Sequence, residues 1–126
     1  TAEDHIISWS LGDWLDLNPD PNSQASNLTP VAQTSTAGYY WMSRKLADYA
    51  QILGYDKRLL EHYRELADSI KDKFNREFLD YETGIYAENS QTAQALPLAL
   101  GLVPDEMEEK VRQRLLECDR YEKRTY

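Results

Sequence analysis

"TPVAQTSTAGYYWMSRKLADYAQILG", running from Thr29 to Gly54, carries the signals of one helix that passes through two environments. Thr29 before Pro30 reads as an N-cap with proline at the first helical position, and Gly54 after Leu53 reads as a stop. The expected helix covers 30–53. From Pro30 to Ser43 it holds no charged residue at all. A helix that is small or apolar all round is enclosed on all sides, so this one must lie among neighbours rather than on a surface.

The segments that follow alternate in character. Asp56 caps a second helix to about Phe78, with Leu59, Tyr63, Leu66, Ile70, Phe74 and Phe78 on one stripe. Its other faces carry the pairs Lys57 and Glu61, Arg64 and Asp68, and Asp72 and Arg76, each spaced to meet along a helix. "LDYETGIYAENS" (79–90) reads as a turn with Gly84 at its tip. Ser90 then caps a third helix, about 91–101, whose "SQTAQALPLALGLV" holds no charge, and Pro97 inside it should remove one backbone hydrogen bond and bend the axis. Pro104 and Asp105 start a fourth, charged helix with Met107, Val111, Leu115 and Cys118 on one stripe. Uncharged and charged helices therefore alternate, which makes inner and outer helices alternate too. The expected fold is all-α, built of antiparallel helical hairpins in two layers, as in an α/α toroid. A solenoid of short repeats fits less well, because the first two helices are much longer than the last two and no fixed period is visible.

At 126 residues, 41% hydrophobic and 29% charged, the chain has the size and make-up of one soluble domain. A formal charge of −8 argues against nucleic acid as a partner. The first 28 residues hold Glu3, Asp4, Asp13, Asp16 and Asp20 with no Lys or Arg, and end in Pro, Asn and Ser typical of a loop. Cys118 stands alone, which excludes an intrachain disulfide and a cysteine-based zinc site. No apolar run approaches the roughly 20 residues of a membrane span, and no signal peptide is evident, so no membrane partner is expected. The chain opens on Thr1, and the expectation is a processed or excised piece; its compartment, bacterial cytoplasm, periplasm or exterior, is left open.

Within the acidic first segment, "SWSLGDWLDL" (8–17) sets Trp14 between Asp13 and Asp16. An indole beside carboxylates suits carbohydrate, because the ring covers the C–H face of a sugar while the carboxylates accept its hydroxyl protons. The competing role for Trp14 is a core aromatic under a loop, and for Asp13 a turn former. Asp16, Asn18, Asp20 and Asn22 sit at calcium-loop spacing, but Pro21 stands where such a loop needs Gly and Asn27 where it needs Glu. His5 and His62 have no second ligand at helical spacing. No metal and no cofactor are expected. Asn27-Leu28-Thr29 is a glycosylation sequon, relevant only to a secreted eukaryotic protein.

Taken in order, "GDWLD" (12–16), "TPVAQTSTAGYYWMSRKLADYAQILG" (29–54), "YRELADSIKDKFNREFLD" (63–80) and "NSQTAQALPLALGLVP" (89–104) resemble consecutive stretches of the bacterial α-L-rhamnosidase catalytic domain. The resemblance implies part of an (α/α)6 barrel of six hairpins, and an inverting glycosidase that removes terminal α-linked rhamnose from a glycoside or polysaccharide. It places the general acid upstream, in an Arg-x-Asp-Glu type motif that does not occur here, and the general base on a later hairpin. No catalytic residue is therefore assigned. Asp13 and Trp14 match the family's substrate-site loop, and the N-terminal end of an inner helix adds Asn89 and Gln91 as substrate-binding candidates near the cavity. Residues 1–28 then form a substrate-site loop segment and 29–117 two hairpins, while 118–126 is a tail outside the resemblance. The alternative from another class is a solenoid-like protein-interaction module without activity. Since two hairpins cannot enclose the uncharged helices, self-association is expected, with Tyr39, Tyr40, Trp41, Leu96, Leu98 and Leu100 at the contact.

Overall fold

The computed structural model describes residues 4–13, 26 and 28–122, the last four of these by their backbone. Its helices are α1 (Val31–Ile52), α2 (Lys57–Phe78), α3 (Gln91–Leu100) and α4 (Glu108–Glu122). A hairpin of two-residue strands, β1 (Leu79–Asp80) and β2 (Ile85–Tyr86), joins α2 to α3, and a 3-10 turn at Asp105–Met107 leads into α4. The fold class is the all-α hairpin architecture that the alternation of charge predicts.

Capping follows the sequence at the starts of α2 and α3 and departs from it at the start of α1. Asp56 accepts from the Arg58 amide at the start of α2, and Ser90 accepts from the Ala93 amide at the start of α3. Gly101 ends α3 in the left-handed region at φ 74°, which a side chain would resist. Thr29 does not cap α1. Pro30 holds that position without a side-chain bond, and the Thr29 hydroxyl lies 2.7 Å from Ser90 Oγ instead. The sequence could not show this, because the competing partner is 61 residues away.

Three contacts fix how α1 and α3 lie together. Thr29 meets Ser90, Gln33 Nε2 donates to the Ala93 carbonyl at 2.8 Å, and Tyr40 OH donates to the Gly101 carbonyl at 3.3 Å. Because both numbers rise together, the helices are parallel, with their N-termini at one end. Each has its own antiparallel partner: α2 returns along α1 after a short turn, and α4 returns along α3, ending with Cys118 Sγ donating to the Asn89 carbonyl at 3.2 Å. The core between them holds Ala37, Tyr40, Ile70, Phe74, Tyr86, Ala93, Leu102 and Val111. Phe74 stacks on Phe78 and Tyr86 with ring centroids 5.0 and 5.7 Å apart.

The backbone bond that Pro97 removes is replaced from outside the helix. A proline at 97 leaves the Ala93 carbonyl without the N–H it would meet in an ordinary helix. Gln33, buried on α1, supplies that donor, and this orientation of its amide leaves Oε1 without a partner among the described residues. The expected result is a coupling between helices. Gln33→Leu should cost about 1–2 kcal/mol more in the native background than in Pro97→Ala, where the new amide serves Ala93. Urea unfolding of the four proteins of that cycle measures it, and equal costs would mean that Gln33 does not replace the missing bond.

The connecting hairpin is held from both sides. Asp80 Oδ1 accepts from the Glu82 and Thr83 amides, and the Thr83 hydroxyl together with those amides holds its carboxyl below the usual carboxylate range. From α4, Lys110 Nζ donates to the Tyr81 and Glu82 carbonyls and Arg114 Nε to the Thr83 carbonyl. Gly84, at φ 74°, lies so close that a Cβ would sit 2.6 Å from Lys110 Cγ. At the other end of the chain, Asp4 pairs with Lys73 on α2, which lowers the Asp4 pKa, and tethers the first segment.

The enclosure expected of α1 is not reached within these helices. Its buried residues, Gln33, Thr36, Ala37, Tyr40, Ser43, Ala47 and Ala50, make one stripe. The other face leaves Trp41, Met42, Leu46, Tyr49 and Ile52 exposed. On α3, by contrast, Leu96, Leu98 and Leu100 are partly buried and pack against the core.

Candidate functional site

The loop that carries Asp13 is laid along the start of α1 by short polar contacts. The Ile7 amide donates to Thr36 Oγ1 at 3.0 Å, Ser10 Oγ lies 2.5 Å from Ser35 Oγ, and the Gly12 amide donates to Ser10 Oγ at 3.0 Å. Ser35 and Thr36 of α1 thus hold the loop, while the Thr34 and Ser35 hydroxyls also donate to the Val31 carbonyl of their own helix. Gly12 takes φ 69°, and a Cβ there would fall 2.7 Å from Ser26 Oγ and 3.0 Å from Val31 Cγ2, so only glycine passes. The next residue, Asp13, is half-buried.

At this point a cleft of about 350 Å³ opens between the parallel helices. Gly12 and Asp13 close its N-terminal end, Thr34, Gly38 and Trp41 line it from α1, and Thr92, Leu96 and Leu100 line it from α3. The lining positions step by three or four along each helix, which is how one face of a helix presents itself. The result is an apolar slot with threonine hydroxyls and one carboxylate at its mouth and an indole, 45% exposed, farther along. Such a slot can hold the hydrocarbon face of a polar molecule and accept hydrogen bonds from its hydroxyls.

A second hollow of about 400 Å³ lies between α1 and α2, among Tyr40, Arg44, Asp48, Arg64, Asp68 and Lys71. Its cations are already engaged. Arg44 donates to Tyr40 OH, Arg64 to Gln51 Oε1, and Lys71 to the Gly101 carbonyl at the end of α3. These contacts brace the helix ends.

The residues proposed from sequence are distributed as follows. Asp13 lies in the cleft. Trp14 falls outside the described residues, as do Asp16, Asn18, Asp20, Asn22 and Asn27. Asn89, at φ 59°, is exposed, and its Oδ1 accepts from Gln94 Nε2 at 2.8 Å while its carbonyl accepts from Cys118. Gln91 is half-buried, one residue before the Thr92 that lines the cleft. Thr34, Gly38, Trp41, Thr92, Leu96 and Leu100 were not proposed as site residues. Their helical spacing was visible, but a stripe of that kind reads equally as core. Among the described residues no group of three His, Cys, Asp or Glu could hold a metal ion, and no helix is long and apolar enough to cross a membrane.

Antiparallel helical hairpins with an apolar cleft between two parallel helices define an all-α helical-hairpin domain. More specifically, the family model for the bacterial α-L-rhamnosidase six-hairpin glycosidase domain matches residues 1–125, and the chain belongs to that family. The match includes the segment after Cys118. Among solved structures, the α-L-rhamnosidase from Dictyoglumus thermophilum is similar at 35% identity and a TM-score of 0.79, over 92% of this chain and 13% of that one. The Streptomyces avermitilis α-L-rhamnosidase complexed with L-rhamnose shares the fold at 22% identity and a TM-score of 0.80, over 97% of this chain and 11% of that one. The native enzyme from Aspergillus terreus does so at 23% identity and a TM-score of 0.81, over 90% and 13%. The chain thus spans between 11% and 13% of these rhamnosidases. No curated protein matches it.

Proposed function

We propose that this chain forms part of the substrate-site wall of a glycoside hydrolase that removes terminal α-L-rhamnose with inversion. The observation that supports the reading is Asp13 at the mouth of the cleft between α1 and α3, in a chain that belongs to the rhamnosidase six-hairpin family. The role of Asp13 is to accept a sugar hydroxyl, and that of Trp14 is to cover a C–H face of the ring. Asn89, held by Gln94 and Cys118, acts by shaping the start of α3, and Gln91 borders the cleft mouth. Titration with L-rhamnose, followed by the indole N–H signals in NMR spectra, tests this directly. The expected result is a saturable shift that weakens about tenfold or more in Asp13→Asn, since a hydrogen bond to a charged acceptor contributes about 1.5–3 kcal/mol. An unchanged spectrum at high sugar concentration would overturn the reading. The interaction-module alternative is not favoured by the family membership.

Self-association of the isolated chain belongs to the same proposal, because a wall of a larger barrel leaves inner faces uncovered. The apolar residues on offer lie on α1, with Trp41, Tyr49 and Ile52 at 45%, 56% and 77% exposure, rather than on the leucines of α3. Sedimentation velocity across a concentration series should show dimers or larger species at high micromolar concentration, shifting toward monomer in Tyr49→Glu with Ile52→Glu. A monomer throughout would remove self-association from the proposal.

A further inference from the structure

The hollow between α1 and α2 combines small buried side chains with exposed charges. Ala47 and Ala67 line it and are buried, and their size helps leave about 400 Å³ open between the helices. Around them stand Arg44 from α1 and Arg64 and Lys71 from α2, none of which pairs with a carboxylate among the described residues. On α2 and α4, by contrast, Lys57, Lys73, Arg76, Arg112 and Arg114 each pair with an acid. Lys71 Nζ and Tyr40 OH donate to the same Gly101 carbonyl, at 2.9 and 3.3 Å, and Arg44 Nη1 donates to Tyr40 OH at 3.2 Å. Two positive charges are thereby gathered on neutral oxygens at the end of α3. Closing that helix end accounts for one N–H of Lys71 and one of Arg44. It does not account for Arg64, whose bond is to Gln51 Oε1. A guanidinium has five N–H donors and an ammonium three, so most donors on this lining remain for something that accepts.

We propose that this hollow binds a phosphate group, carried by inorganic phosphate or by a small phosphomonoester, with Arg44, Arg64 and Lys71 as its donors. A phosphate presents acceptor oxygens in several directions, which suits donors arriving from two helices, whereas a carboxylate presents two oxygens in one plane. Its charge enters where like charges are gathered without an anion, so binding relieves their repulsion as well as forming charge-assisted hydrogen bonds. The volume lies within the range of small-molecule sites and leaves room for a substituent on the phosphate. Two acids share the lining. Asp48 is taken by Lys45 at 3.2 Å, while Asp68 has no ion-pair partner among the described residues and opposes an anion. The cations are open to water, so each contact contributes modestly and Asp68 sets how tightly the phosphate is held. The proposal stands on these residues alone and does not rest on the rhamnose reading.

The experiment titrates the chain, at dilute protein concentration and neutral pH, with sodium phosphate, phenyl phosphate and sodium acetate at matched ionic strength. NMR follows the backbone amide signals of Arg44, Lys71 and Gly101. Phosphate is expected to shift them saturably and to bind at least about fivefold more tightly than acetate. Arg64 and Asp68 are both exposed, so Arg64→Gln and Asp68→Asn leave the core untouched. The first is expected to weaken phosphate binding about threefold or more, and the second to strengthen it by a similar factor. Tightening on removal of a carboxylate is the signature, since charges that only brace the helices give phosphate no reason to respond. Tighter binding of phenyl phosphate than of inorganic phosphate identifies a monoester as the occupant, and the reverse identifies the free ion; both uphold the site. Equal shifts with acetate and phosphate, which report ionic strength alone, overturn it. So does a phosphate affinity that neither Arg64→Gln nor Asp68→Asn moves.

Discussion

Incubated with an aryl α-L-rhamnoside, the 126-residue chain is expected to release the aryl alcohol at least about 10⁴-fold more slowly than an ordinary glycosidase. Inversion needs two carboxyl groups about 6.5–9.5 Å apart, one to protonate the leaving oxygen and one to activate a water on the opposite face of the sugar. Among the described residues the cleft is lined by a single carboxylate, Asp13. One group cannot stand on both sides of the anomeric carbon, and each proton transfer typically contributes 10² to 10⁴ in rate. The chromogenic assay is direct. Turnover at an enzymatic rate, lost in Asp13→Asn, would mean that this chain holds a complete acid and base pair and that the wall assignment is wrong.

Asn75→Leu is expected to bring the fold to the edge of stability, at a cost of roughly 3–5 kcal/mol. Asn75 is buried on α2 and links three parts of the chain. Its Nδ2 donates to the Lys71 carbonyl at 2.9 Å and to the Leu102 carbonyl at 2.8 Å, and its Oδ1 accepts from Tyr86 OH at 2.5 Å. Leucine has a similar volume, so the loss is of polarity rather than of packing. It leaves the Leu102 carbonyl and the Tyr86 hydroxyl buried without their partners, and Tyr86 is completely buried. Burial also pushes the Tyr86 phenol well above its ordinary range, so ionisation offers it no relief. A domain of ordinary stability has only about 5–15 kcal/mol in total. Tyr86→Phe leaves only Asn75 Oδ1 unpaired, and should cost about 1–2 kcal/mol. Urea denaturation of the two variants measures both. A cost for Asn75→Leu no greater than that for Tyr86→Phe would show that the link to Leu102 contributes nothing.

The same network shows where reading the sequence stops. Tyr86 and Asn75 are 11 residues apart, in a predicted turn and on a charged helix, and nothing in their local pattern announces that they meet. The helices themselves were legible, because capping and apolar period are local: Asp56, Ser90 and Gly54 do at their helix ends what their chemistry dictates. Alternation of charged and uncharged helices was legible for the same reason, and from it the two hairpins and their antiparallel pairing. The site was legible only in part. Asp13 could be singled out by its company in the loop, whereas Thr34, Gly38, Trp41, Thr92, Leu96 and Leu100 carry a helical period that serves a core and a cleft equally well.

From the sequence alone come the four helices, their order and their inner or outer character, since each depends on residues within a few turns of one another. Only the tertiary structure decides that α1 and α3 run parallel with their N-termini together, that Gln33 rather than the backbone serves the carbonyl freed by Pro97, and that Thr29 turns from capping its own helix to meet Ser90. These are choices among hydrogen-bond partners some 60 positions apart in the chain. Local propensity favours a donor or acceptor without naming its partner; burial names it, because a polar group shut away from water must bond to whatever the packing brings within reach.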